Sequence, residues 1–186
     1  MNFFKRLFGR TSARQADSTI KNDGATSYIT TEPGAYIFNK DAEPEYTYTD
    51  LTPAEYKHIQ ASQAILKDAF APLLKFDKEP VHHPENLDEY LTVWGSTGFN
   101  NFMDIEPNQH IAFLSYNFGQ WLVDAYGMEW KIKSDGQGTA TVVRLAGPAE
   151  IELYPIDRTL RAVEKKELAV YVGIDAKLQR ALQQFG

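Results

Sequence analysis

The chain has 186 residues, of which 43% are hydrophobic and 24% are charged, a balance typical of one globular domain. Its net charge of −6 argues against a nucleic-acid partner, because binding phosphates requires a basic surface that displaces their counterions. The absence of cysteine excludes disulfides, thiol nucleophiles, cysteine-ligated zinc and iron–sulfur clusters, and it fits a cytoplasmic location.

Residues 1–10, MNFFKRLFGR, form a short amphipathic segment. The pair Lys5-Arg6 interrupts the apolar residues, so the segment lacks the hydrophobic region of a signal peptide. In a helix it presents an apolar side (Phe3, Phe4, Leu7, Phe8) and a basic side (Lys5, Arg6). The segment could dock weakly on the inner membrane surface or on a partner; the alternatives are docking on the chain's own domain and disorder.

Residues 11–27 are rich in small polar residues and predict a flexible linker. A single α+β domain follows at residues 28–186, with an extended arm at 28–50 and a core at 51–186. Within the arm, the alternation of Tyr46, Thr47, Tyr48 and Thr49 is typical of either a short strand or an extended segment lying across the domain.

The core opens with helices. Thr52, Pro53 and Glu55 form a capping box, and Tyr56, Ile59, Leu66, Phe70 and Leu73 recur on one face of the helix that follows, which Pro72 kinks or ends. A second helix begins near Asn86 and buries Leu87, Tyr90, Leu91 and Trp94. A third runs from Pro107 to Gly127, with an inward stripe that includes Trp121 and Ala125. Gly119 inside this helix allows another element to approach closely.

The hydrophobic period then changes to two, which predicts a three-stranded antiparallel meander formed by residues around Trp130, the segment TATVVRL and the segment AEIELY. Two further helices follow, one capped by Asp157 and one at residues 175–184. N-terminal helices, a meander and C-terminal helices together indicate an α+β fold.

The segment from Phe118 to Glu167 resembles the bacterial domain-of-unknown-function family 3806. The features that carry the resemblance are the helix with Gly119, the strand with Trp130 and the Tyr154-Pro155 step into a polar helix. The resemblance implies an α+β fold and a bacterial origin, and it supplies no catalytic residues.

Two groups of residues could carry catalysis or metal binding. The segment VHHPENLDEY offers His82, His83, Glu85, Asp88 and Glu89, but it lacks the spaced pair that a helical metal site uses. Ser96, His110 and Asp104 could form a triad, yet no Gly-x-Ser-x-Gly motif surrounds the serine. We therefore predict no metal, no cofactor and no catalytic residues.

The segment WGSTGFNNF combines Trp94, Phe99 and Phe102 with small polar residues. This mixture is typical of binding loops, in which rigid rings anchor a partner and polar groups adapt to it. The alternative is that the three rings complete the core where two helices meet.

Thirteen acidic residues and four lysines lie between positions 41 and 106, so this middle segment either suits a basic protein surface or forms a solvated, solubilising face. We expect a non-enzymatic bacterial protein-binding domain, such as an adaptor or an immunity protein that neutralises a toxin. The alternatives are a small hydrolase or metal-dependent enzyme that uses His82, His83 or His110, and a peripheral membrane protein.

Overall fold

The computed structural model describes residues 29–32, 35–37, 46–135, 138–146 and 150–185. The amphipathic segment at residues 1–10 and the linker at residues 11–27 lie outside the described residues, as does much of the arm at residues 28–50. Among the described helices, none is both long enough and apolar enough to span a bilayer.

The described helices are α1 (Pro53–Ile65), α2 (Ala71–Leu74), α3 (Pro84–Ser96), α4 (Pro107–Tyr126), α5 (Pro155–Lys165) and α6 (Val170–Phe185), with a π-helical turn (Leu66–Phe70) joining α1 to α2. The strands are β1 (Ile29–Glu32), β2 (Ala35–Ile37), β3 (Thr47–Asp50), β4 (Glu129–Asp135), β5 (Gly138–Leu145) and β6 (Ile151–Leu153). They form one antiparallel sheet in the order β1-β2-β6-β5-β4-β3. The fold is therefore α+β, as the sequence predicts.

The prediction of a three-stranded sheet is wrong. The meander β4-β5-β6 is present, but β3 adds a fourth strand beside β4, and the β1–β2 hairpin extends the other edge beside β6. The predicted order of elements is also wrong, because these added strands precede the first helix. Strand β3 coincides with the alternating tyrosines and threonines, so this segment is a strand.

The start of α1 follows the predicted capping box. The amide of Glu55 donates to Thr52 Oγ1 at 3.3 Å, and the amide of Thr52 donates to Glu55 Oε2 at 2.7 Å. The predicted inward face is only partly correct: Ile59, Leu66 and Phe70 are buried, whereas Tyr56 and Leu73 are 41% and 54% exposed. The helix packs through a narrow face, so both ends of the predicted stripe remain in solvent.

The π-helical turn lies directly before Pro72. The amide of Ala71 donates to the carbonyl oxygen of Leu66, five residues back, where a regular α-helix would use the residue four back. Proline has no amide hydrogen and its ring crowds the preceding turn, so the chain widens there and continues as α2. Pro72 thus distorts the helix, as predicted.

Helix α4 is the centre of the core. It begins at Pro107 and is followed by Gly127, whose φ of 65° gives the left-handed conformation that commonly ends a helix. Its predicted stripe is mostly buried, but Trp121 is half-buried and Ala125 is exposed. These two residues lie near the end of α4, where less of the helix is covered.

Gly119 provides the close approach that the sequence predicts. A Cβ atom at position 119 would lie 2.1 Å from Trp130 Cη2, so the indole of β4 rests directly on the α4 backbone. The Trp130 ring also donates to Gln120 Oε1 at 3.3 Å. This contact fixes the sheet against the helical layer.

Helix α6 begins at Val170, five residues before its predicted start. The buried carboxylate of Asp88 on α3 accepts hydrogen bonds from the amides of Tyr171 at 3.0 Å and Val172 at 2.9 Å. These amides have no partner within the helix, so Asp88 caps α6 from a distant part of the chain. Burial raises the pKa of Asp88 and the amide hydrogen bonds lower it, with burial the larger effect.

We predict that Gly119→Ala destabilises the fold by about 1–3 kcal/mol or more, because the new methyl group must displace the Trp130 indole. Gly173→Ala in α6 is the matched control: nothing lies within 4 Å of a Cβ there, so alanine should stabilise by about 0.5–1 kcal/mol. Urea denaturation of both variants measures the two effects. Equal stability of the two variants would show that the Trp130 contact is not tight.

Candidate functional site

The segment between α3 and α4, residues 97–106, is held by two buried rings. The indole of Trp94 is fully buried and donates to the carbonyl oxygen of Asn100 at 2.8 Å, and its ring lies edge-on to Phe99 with centroids 5.0 Å apart. The segment also closes on itself, because Phe102 and Ile105 exchange backbone hydrogen bonds of 3.3 and 3.1 Å. The loop therefore has a fixed backbone.

His110 is the second ring, and it is also buried. Its Nε2 lies 3.1 Å from the carbonyl oxygen of Phe102, which can only accept, so Nε2 carries the hydrogen. Its Nδ1 then accepts from the Tyr90 hydroxyl at 2.5 Å. Burial lowers the pKa of His110, so this imidazole is a neutral bridge between α3 and the loop.

Several residues of this loop adopt a backbone conformation that side chains disfavour. Phe99, Met103 and Asp104 have φ values of 58°, 54° and 58°, in addition to Gly98 at 72°. A bulky residue in the left-handed region is uncommon and strained, and such residues cluster at functional sites. The network around Trp94 and His110 is what holds the loop in this conformation.

A second connection lies beside the loop. Leu168, between α5 and α6, is 49% exposed, and the next residue, Ala169, is also left-handed with φ of 59°. A Cβ atom at Gly95 would lie 3.1 Å from Phe99 Cζ and 3.4 Å from Leu168 Cδ2, so these two side chains meet over the end of α3. Residues with a left-handed backbone in two connecting segments therefore lie beside the C-terminal end of α3.

The solvent side of this region carries both apolar and polar groups. Met103 is 43% exposed, and Asn100, Asn101 and Asp104 are exposed beside it. We call these four residues the loop surface. It offers one apolar side chain, two amides and one carboxylate on a fixed backbone, a combination suited to contact with another protein.

The predicted binding residues occupy different places in this arrangement. Trp94 is fully buried and supports the loop from beneath, and Phe99 and Phe102 are half-buried against the core. This placement favours the core-packing alternative for the three rings themselves. Sequence reasoning missed Met103, and it considered Asp104 only as a member of a triad, because the segment that it singled out ends at Phe102.

The candidate catalytic residues do not converge. His82 Nε2 contacts Asp124 Oδ2 at 2.9 Å, whereas His83 Nδ1 accepts the amide of Glu85 at the start of α3. Ser96 donates to the carbonyl oxygen of Val93, and His110 is committed to Tyr90 and Phe102. Within the residues that the structure describes, no three metal-ligating side chains come together.

Trp121, which the sequence places in the core stripe, joins α4 to α6. Its Nε1 donates to Asp175 Oδ1 at 2.7 Å, and the Tyr126 hydroxyl donates to the same oxygen at 2.5 Å. Burial, followed by the hydrogen bond to Asp175, raises the pKa of Tyr126 to about 12. The edge of the His83 ring meets Trp121 at a centroid distance of 4.7 Å. These contacts fasten the end of α4 to α6 and to the segment before α3.

A polar cluster lies on the sheet face opposite the helices. Trp130 and Val143 point into the core, so the alternation along each strand turns Lys133 and Arg144 to the other side. The ammonium of Lys133 contacts Glu152 Oε1 at 2.8 Å and lies 4.0 Å from the centroid of the Tyr46 ring.

This cluster fastens β3 to the sheet. The Tyr48 hydroxyl donates to Glu152, whose side chain is 2% exposed, and Arg144 lies 4.1 Å from the centroid of the Tyr48 ring while pairing with Glu150. Burial and the hydrogen bond to Glu152 raise the pKa of Tyr48. The phenol therefore stays protonated and acts as a donor. Sequence reasoning missed this cluster because its members come from four separate segments.

The acidic residues between positions 41 and 106 do not all contribute to one open surface. Asp88 is buried as the cap of α6, Asp50 pairs with Lys131 at 2.7 Å, and Glu85 pairs with Lys78 at 3.3 Å. Asp104 and Glu106 remain exposed on the segment between α3 and α4.

Comparison with known proteins gives a likeness of fold alone. No family model matches the chain, and no curated protein matches it. A crystal structure of a protein from Bacteroides thetaiotaomicron, determined at 1.50 Å resolution, is similar over 82% of this chain and 69% of that chain, with a TM-score of 0.50 and 13% sequence identity. The likeness is consistent with the α+β architecture and carries no information about activity.

We predict that Lys133→Met destabilises the fold by about 3–5 kcal/mol, because it leaves the buried Glu152 carboxylate without its cation. Lys131→Met on the same strand and face is the control: its partners Asp50 and Glu129 are 84% and 65% exposed. Its loss should therefore cost only about 0–1 kcal/mol. Thermal and urea denaturation measure both variants, and equal losses would contradict the assigned role of Glu152.

We also predict that stability falls as the pH is lowered below about 6.5, the pKa of an unfolded histidine. The pKa of folded His110 lies lower, so the unfolded chain binds more protons in this window. His110→Gln should cost about 1–3 kcal/mol at pH 7 and should show a shallower pH dependence.

Urea denaturation between pH 7 and pH 5 measures how the free energy of unfolding of wild type and of His110→Gln changes with pH. The pKa of His82 is lowered by burial and those of Asp88 and Asp157 are raised by it, but these groups are present in both proteins. The difference between the slopes therefore reports His110, and identical slopes would show that its imidazole is not held neutral.

Proposed function

We propose that this chain is a non-enzymatic protein-binding domain whose partner docks on the loop surface. The observation that carries the proposal is the strained but fixed backbone of the segment between α3 and α4. Phe99, Met103 and Asp104 are all left-handed there, and Trp94 and His110 hold the segment by hydrogen bonds to its carbonyl oxygens. Such strain persists only where the surrounding structure enforces it, and it accumulates at sites with a function.

The exposed chemistry supports a protein partner. Met103 offers a flexible apolar side chain that adapts to different surfaces, and Asn100 and Asn101 offer donors and acceptors beside it. A fixed backbone also reduces the entropy that binding would otherwise cost. Trp94 contributes by supporting the loop, and Phe99 and Phe102 by packing it against the core.

The partner carries a basic surface. Asp104 and Glu106 are exposed on the same segment, and the chain has a net charge of −6. Opposite charge on the partner would steer its approach and fix its orientation. This chemistry suits an adaptor or an immunity protein that covers a basic toxin, in the cytoplasm of a bacterium. Membership of the domain-of-unknown-function family 3806 is part of the same proposal.

The enzyme alternative has less support. His110 uses both ring nitrogens inside the core, and His82 and His83 bond to different elements. The membrane alternative depends on Phe3, Phe4, Lys5, Arg6, Leu7 and Phe8, which lie outside the described residues, and it stays a prediction.

We predict that the double variant Met103→Ser/Asp104→Asn loses the partner while keeping the fold. Asparagine tolerates the left-handed backbone as aspartate does, so the loop conformation should survive. The control is Tyr56→Ser/Glu89→Gln, which removes one apolar group of similar exposure (41% against 43%) and one exposed carboxylate elsewhere.

Affinity capture from a lysate of the source bacterium, read by quantitative mass spectrometry, compares wild type with both variants. The partner should be recovered by wild type and control and fall by about tenfold or more with the loop variant. Circular dichroism verifies that all three proteins are folded. Equal recovery by all three, or no specific recovery by wild type, would refute the proposal.

A further inference from the structure

A straight apolar stripe follows α1, the π-helical turn and α2. Its members Ala61, Ile65, Ala69 and Leu73 recur every four residues, and all four are exposed. The two large members, Ile65 and Leu73, are 39% and 54% exposed. No other described element covers them, although the opposite side of the same helix is buried against the core.

The π-helical turn is what keeps the stripe straight. In a regular α-helix, positions four residues apart drift around the axis by about 40° at each step, because one turn takes 3.6 residues. The wider turn at Leu66–Phe70 holds more residues and offsets much of this drift between Ile65, Ala69 and Leu73. Wide turns of this kind are uncommon, and they occur frequently at functional sites. Here the turn aligns apolar side chains that a regular helix would spread around its surface.

We propose that this stripe is the contact surface between two copies of the chain, packed antiparallel about a two-fold axis at the level of Gln63. That level is the middle of the helical stretch that α1, the turn and α2 form, so the two stretches overlap along their whole length. Ile65 then faces Ala61 of the second copy, and the same contact repeats on the other side of the axis. A large side chain meets a small one on either side of the axis, which is the condition for close packing between two helices.

One edge of the stripe carries opposite charges that can pair with the same edge of a second copy. Lys57 and Asp68 are both exposed, and their positions are eleven residues apart, which is close to three helical turns, so both lie along one edge. They are ~16 Å apart along the axis, which is too far for an ion pair within one copy. The two-fold axis brings this edge against the same edge of the second copy. Lys57 of one copy then lies beside Asp68 of the other, at nearly the same height along the helix axis.

This ion pair forms twice in the dimer and fixes the register of the two helices. The aliphatic stem of Lys57 also covers Ala69 of the second copy, which extends the apolar contact beyond the Ile65–Ala61 pairs. The contact involves one helical stretch from each copy, so the dimer belongs to the small, concentration-dependent class of interfaces.

Sedimentation velocity of the full chain, from about 1 μM to about 1 mM, tests the proposal in the range expected for a small interface. Wild type should pass from monomer to dimer as the concentration rises. Ile65→Ser should raise the dissociation constant by about tenfold or more, because each copy loses its central contact. Tyr56→Ser is the matched control, since it lies on the same helix, is similarly exposed and lies off the stripe.

A second variant tests the packing itself. Ala61→Ile places a large side chain opposite Ile65 of the second copy, so it should abolish the dimer although it makes the surface more apolar. Thermal denaturation of each variant verifies that the monomer is folded. A wild type that stays monomeric throughout the range, an Ile65→Ser variant that dimerises as wild type does, or an Ala61→Ile variant that dimerises more tightly would each overturn the proposal.

A charge exchange tests the register. Lys57→Glu and Asp68→Lys should each weaken the dimer, because each places like charges together twice. The double variant Lys57→Glu/Asp68→Lys restores opposite charges across the two-fold axis, so its dissociation constant should return to within a few-fold of the wild-type value. Failure of the double variant to recover dimerisation, with a folded monomer, would show that these two residues do not meet.

Discussion

The contact of Trp130 with Gly119 is the constraint on which the arrangement of the two layers depends. A sheet and a helix normally approach no closer than their side chains allow, but here an indole lies against bare helix backbone. The position of β4 is thereby set relative to α4, and β4 in turn pairs with β3 and β5. Because α4 also packs against α1, α3 and α5, one close approach coordinates the sheet with most of the helical layer.

Away from that contact, buried or half-buried polar side chains join distant segments of the chain by hydrogen bonds. Asp88 caps α6 from α3, Asp175 on α6 accepts from Trp121 and Tyr126 on α4, and His110 bridges α3 to the loop that precedes α4. Each of these groups has at least two hydrogen-bond partners, in keeping with the rule that polar groups removed from water are hydrogen-bonded. Two residues that the sequence offered as catalytic or metal-binding candidates, Asp88 and His110, are thus engaged in structural hydrogen bonds.

Local signals in the sequence were sufficient for much of the fold. The capping box at Thr52 and the Gly127 stop act over a few residues, so the beginning of α1 and the end of α4 could be predicted. The hairpin β4–β5 followed from alternation with an intervening turn. The start of α6 could not be predicted, because its cap, Asp88, is 82 residues before Val170 in the chain and only the tertiary fold brings them together.

The candidate site could also be predicted only in part. Its aromatic residues were visible in the sequence, but the alternation of rings with small polar residues could not distinguish support beneath the loop from contact on its surface. The left-handed backbone at Phe99 and Met103 is imposed by hydrogen bonds from Trp94 and His110, so no local pattern encodes it. The Lys133–Glu152 pair was equally hidden, since its residues read as ordinary polar positions on a solvent-facing side of a sheet.

Strand β3 is the last strand on its side of the described sheet, and its short length has a consequence for how the protein behaves at high concentration. A long, flat edge strand offers unpaired amides and carbonyls to any extended chain that approaches, which is a route to uncontrolled polymerisation. Strand β3 has only four residues, and it ends at Asp50, an exposed carboxylate held by Lys131. An incoming strand would have to place its own backbone beside that charged pair after at most four residues of pairing. The edge is therefore poorly suited to templating amyloid-like growth.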